Sequence, residues 1–153
     1  MSILICFVVT LLALQQTPFL AAHRFGDVLE SEERNQIMSM LDETKEMAGQ
    51  VEAMLLKVLP EIPTGKTYEE LHNNVLEYYD KVHGYKERKY HCRKRARQFL
   101  EGFKEFSEIY SNEQADTPEK QEVVRLLEEA GLKEMREKFN EKMARDEFDY
   151  ILE

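Results

Sequence analysis

The chain has 153 residues, a third of them charged, and a net charge of −9 with no tryptophan. That acidic balance excludes nucleic acid as an expected partner, because phosphate contact needs the opposite sign. Few glycines and prolines beside abundant Glu, Lys, Leu and Met make this the composition of an all-α protein.

Residues 1–22 carry no charged side chain, and Ile3 to Leu14 is almost continuously apolar. The run is too short to span a bilayer, which takes roughly 20 apolar residues. Leu20-Ala21-Ala22 offers small residues for signal peptidase, so 1–22 reads as a signal peptide and 23–153 as a single helical domain. The usual Lys or Arg before the apolar run is missing, and a retained anchor is the alternative. The expected location is extracellular. Removal of Cys6 would leave Cys92 alone, so helix packing rather than an internal disulfide must hold the domain.

Ser31 is a good N-cap, followed by Glu32 and Glu33 at the positive end of a helix dipole. Ile37, Met40, Leu41, Thr44, Met47, Ala48, Val51, Met54, Leu55, Val58 and Leu59 then recur at threes and fours, predicting a helix over 32–59 that Pro60 and Pro63 stop. Thr67 with Glu70 fits a capping box. Beyond it an apolar seam runs Leu71, Val75, Tyr78, Val82, Tyr85, Lys89, Cys92, Ala96, Phe99, Phe103, Phe106, Tyr110, alternating four and three without a slip. Because the phase survives across Gly84, the pattern favours one continuous or merely kinked helix over 68–110, about 64 Å long. The fold expected is therefore a helical bundle organised around one long central helix. Thr117 and Pro118 open a helix over 118–130, Gly131-Leu132 reads as a Schellman stop, and a last helix follows over 132–150.

No catalytic constellation stands out, and no enzyme activity or cofactor is expected. His83, Glu87 and His91 are spaced i, i+4, i+8, but no HExxH motif or fourth ligand accompanies them, so no metal site is expected. Cys92 lies on the seam and reads as a buried small hydrophobe, with an intermolecular disulfide as the alternative. Lys86, Arg88, Lys89, Arg93, Lys94, Arg95 and Arg97 crowd into twelve residues against one acid, Glu87. They form either a solvated face that neutralises acids on other helices or an anchor for an anionic head group or anionic membrane surface.

The segment Glu70-Leu71, then Val75-Leu76-Glu77-Tyr78-Tyr79-Asp80-Lys81-Val82-His83-Gly84 and its Lys/Arg/Glu-rich continuation, resembles the nematode polyprotein allergens. The resemblance covers 35 to 45 residues; other small secreted helical nematode proteins, the fatty-acid- and retinol-binding ones among them, stay open as relatives. It implies an exported all-helical carrier of fatty acids or retinoids, with one long helix shared between two juxtaposed four-helix bundles. Family units carry a cysteine pair and a tryptophan, neither of which is present after residue 22 here. On this reading an apolar ligand would lie between the central helix and its neighbours. Val75, Tyr78, Tyr79, Val82, Tyr85, Phe99, Phe103 and Phe106 would line it, and Arg93 and Arg97 would take its carboxylate. The alternative is a secreted helical interaction protein with a filled core and no small-molecule ligand, self-associating along the seam.

Overall fold

The computed structural model describes residues 31–89 and 92–144. Of these, 84% are helical, in five α-helices with no strand among them, against about a third in an ordinary globular protein, so the all-α bundle class is shown. The chain divides into two units, 1–38 and 39–153. Residues 31–38 of the first are helical and mostly exposed. The signal-peptide reading of 1–22 and the end of the predicted last helix, 145–150, fall outside the described residues.

Helix α1 covers 31–58. From Leu41 onward the predicted stripe is the buried one, with Ala48, Val51 and Leu55 fully enclosed and Met38, off the stripe, exposed. A short 3-10 turn, Leu59–Glu61, carries Pro60 where its missing N–H is not needed, and Ile62 beyond it drops into the core. Helix α2 is Glu69–Lys86. Its N-cap is Tyr68 rather than Thr67, with no side-chain cap, because a backbone turn from Gly65 to Tyr68 winds directly into the first helical bonds.

The predicted 68–110 helix is two helices. Helix α2 ends at Lys86, and α3, Arg93–Ile109, begins after Cys92, whose backbone is extended at φ −132°, ψ 157°. Gly84 is inside α2. The ring stackings give the direction of the fold-back. Tyr78 stacks on Phe106 at 4.0 Å and Tyr85 on Phe99 at 5.1 Å, so numbers rise along one helix as they fall along the other. The two halves of the seam face each other in an antiparallel hairpin.

The break falls where the seam carries Lys89, its one charged residue, and Cys92, and both are exposed. Cys92 is thus a surface thiol, not the buried hydrophobe expected. Crowded like charges weaken a helix at this point, and closing the hairpin buries the aromatic stripe against itself. Continuity of phase does not distinguish a long helix from a hairpin, since either puts one stripe inward.

Helix α4, Pro118–Glu129, is capped by Thr117, whose hydroxyl accepts from the Lys120 N–H. Gly131 has φ +113°, the left-handed conformation predicted for the stop, and α5, Leu132–Ala144, follows. Phe139 of α5 meets Phe103 of α3 edge-on at 5.3 Å. Lys142 reaches Glu43 of α1 at 2.5 Å. The centre is packed: Val75, Leu100, Phe103 and Leu127 have essentially no exposed surface.

Candidate functional site

On each helix of the hairpin one exposed or half-buried stripe borders the aromatic seam. Asn74, Glu77, Lys81, Gly84 and Arg88 follow α2 and its end at steps of three and four. Arg95, Gln98, Gly102, Glu105 and Ile109 do the same on α3. Between these rims lies a groove of about 940 Å³, at the upper end of the roughly 300–1,000 Å³ typical of small-molecule sites. Its floor is the seam itself, with Tyr78, Val82, Tyr85, Phe99 and Phe106 among the lining residues.

Two rim positions are glycines inside helices, where glycine is unfavourable by about 1 kcal/mol relative to alanine. A Cβ at Gly84 would meet nothing, and one at Gly102 would sit 3.9 Å from the Tyr78 ring. Neither position is forced to glycine by its backbone. What both do is leave the aromatic floor uncovered.

The groove is electrically lopsided. At the turn end stand Arg88, Lys94 and Arg95, together with Cys92. Arg88 donates to the Gly84 carbonyl, and among the described residues Arg88, Lys94 and Arg95 form no ion pair. Lys81, further along, is already bound to Glu77 at 2.8 Å. The far end closes on Ile109, 45% exposed, and the buried Tyr110. Burial pushes the Tyr85 phenol up to about 12, and raises Tyr110 to about 12 with help from Glu70. Tyr78 is raised as well, by burial alone. The floor phenols therefore stay neutral at physiological pH and do not repel an anion.

Of the ten residues expected at a ligand site, five line this groove: Tyr78, Val82, Tyr85, Phe99 and Phe106. Val75 and Phe103 face the packed interior. Tyr79 stacks on His83 at 5.7 Å instead. Arg93 and Arg97 are not among the lining residues; Arg95 and Lys94, between them in sequence, are. Sequence reasoning missed Arg95, Gln98, Gly102 and Ile109, although their three-and-four spacing was there to be read. A single long helix would have given that stripe no partner, so it carried no meaning until the chain folded back.

A second polar feature ties α1 to α2. Glu52, only 6% exposed, receives Lys86 Nζ at 2.5 Å and lies 2.6 Å from His83 Nδ1. These hydrogen bonds, Lys86 first and then His83, hold the Glu52 carboxyl below its ordinary range. His83 is committed here, and among the described residues no group of three His, Cys, Asp or Glu is placed to hold a metal. His91 is outside the described residues. No described helix is long and apolar enough to cross a membrane.

No protein-family pattern matches the chain, and neither the curated proteins nor the solved structures searched contain a match.

Proposed function

We propose that this protein is an exported, non-enzymatic carrier of an apolar anion of the fatty-acid or retinoid class, held in the α2–α3 groove. The observation that carries the reading is the polarity of that groove. An aromatic floor left open by two helical glycines ends in three cations without ion-pair partners among the described residues. An apolar tail on Tyr78, Phe99 and Phe106 is removed from water, and its carboxylate meets Arg88, Lys94 and Arg95. Arginine suits that role because its planar fork grips a carboxylate with two hydrogen bonds. The resemblance around Tyr78-Tyr79-Asp80 supports the ligand class, and the leader-like residues 1–22 support export. The site proposed is a surface groove, not the space between a central helix and its neighbours expected from sequence.

Titration of the protein without residues 1–22 with a fluorescent fatty acid tests this. Lys94→Gln/Arg95→Gln should weaken acid binding by about 1–3 kcal/mol, the range for a charged hydrogen bond, and should leave an alcohol of equal length less affected. Arg93→Gln/Arg97→Gln, the pair favoured by sequence, should bind close to the parent. A second reading is favoured by the filled interior at Val75 and Phe103 and by the exposed Ile109 at the groove's end. These suit a partner's amphipathic helix laid in the groove. If the parent binds neither acid nor alcohol, that interaction module replaces the carrier.

A further inference from the structure

The groove has a definite length and two unlike ends. Along α3 its rim runs from Arg95 to Ile109, about 21 Å at the 1.5 Å rise of a helix, which is the extended length of an unbranched acid of about 16 to 18 carbons. Its floor is laid in two steps, the Tyr85–Phe99 pair nearer Arg95 and the Tyr78–Phe106 pair nearer Ile109. At the far end Ile109 keeps 45% of its surface in water, with the buried Tyr110 behind it. Exposure alone means little for an isoleucine. Its place does: Ile109 is the last residue of α3, so the helical wall of the groove stops with it. The charge near this end is negative, since burial and then Glu70 raise the Tyr110 phenol.

We infer that the groove is a length gauge for unbranched monocarboxylic acids, in which Ile109 covers the methyl end of the chain. The inference rests on the carrier reading above and narrows it. With the carboxylate at Arg88 and Arg95, each further methylene covers more of the aromatic floor until the chain reaches Ile109. Past that residue the wall has ended, so added methylenes stay in water and contribute nothing. The two ends also fix the ligand's direction. A second carboxylate at the far end would leave water beside an isoleucine and face the field of Glu70, which disfavours a diacid of the same length. A retinoid is shorter and ends in a bulky ring, so it leaves the Ile109 end of the floor uncovered.

The test is a chain-length series, with the protein prepared as for the titration above and each acid competed against the fluorescent one. From decanoic to palmitic acid the affinity should rise by up to about fourfold per methylene, the value for full burial. From stearic to arachidic acid it should stay level within about twofold. Hexadecanedioic acid should bind at least about tenfold more weakly than palmitic acid. Ile109→Asn should weaken stearic acid by about threefold or more and leave decanoic acid unchanged, because the shorter chain stops before Ile109. Unchanged decanoic acid binding also shows that the variant is folded. A rise that continues undiminished through arachidic acid, or a diacid bound as tightly as palmitic acid, overturns the gauge and leaves the carrier standing. So does an Ile109→Asn variant that loses nothing or loses equally at every length. If no acid in the series binds, the carrier and the gauge fall together.

Discussion

Tyr78 is a buried residue of the groove floor with an unsatisfied polar group. Its ring lies flat on Phe106, while its hydroxyl is buried with no hydrogen-bond partner among the described residues. A buried polar group without a partner opposes folding by about 1–3 kcal/mol. Tyr78→Phe keeps the stacking and removes that penalty, so urea denaturation should find the variant about 1 kcal/mol more stable. Unchanged or lower stability would mean that the hydroxyl is satisfied in solution. Phe103 presents the opposite case, fully enclosed and edge-on to Phe139. Phe103→Ala should be destabilising by about 3–5 kcal/mol. Phe99→Ala should fall below it, because that ring is also a groove wall. Glu52 predicts a pH dependence. Its folded pKa is held below the ordinary 4.5 by Lys86 and His83 on α2, so its contribution is complete above that value and is lost as pH falls through the folded one. In denaturation measured across pH, Glu52→Gln should be less stable at neutral pH and should show a shallower acid decline.

The helices followed local rules closely enough to be read from the sequence, and their pairing did not. The α1 stripe, the Thr117 cap and the left-handed Gly131 are set by residues within a few positions of one another, and all three are found as expected. The Glu52 clamp joins residues 31 and 34 positions apart, and no local pattern announces it. The hairpin was missed for a related reason. A seam in perfect phase is equally consistent with a long helix and with two helices that turn where the seam is weakest. Half of the expected site residues lie in the groove because the seam is its floor; Arg93 and Arg97 lie outside it, and the rim is definable only with α2 beside α3. Gly84 separates the two descriptions experimentally. As a turn residue it would resist substitution. Inside a helix with open space around it, Gly84→Ala should raise stability by roughly 0.5–1 kcal/mol, read as a shift in the denaturation midpoint.

An acidic chain with a packed interior and an open aromatic groove is compatible with the carrier proposed above. The reading requires the groove, and not the interior, to be where an apolar anion goes. Backbone amide shifts during titration with oleate test this most directly, with Gly102→Leu as the variant that fills the groove from a rim position whose Cβ meets only ordinary contact. Saturable shifts should be confined to the facing stripes, at Lys81, Gly84, Gln98, Gly102 and Ile109, and should vanish in the folded Gly102→Leu protein. Absence of saturable shifts in the parent, or shifts centred on α4 and α5 that persist in Gly102→Leu, would contradict it.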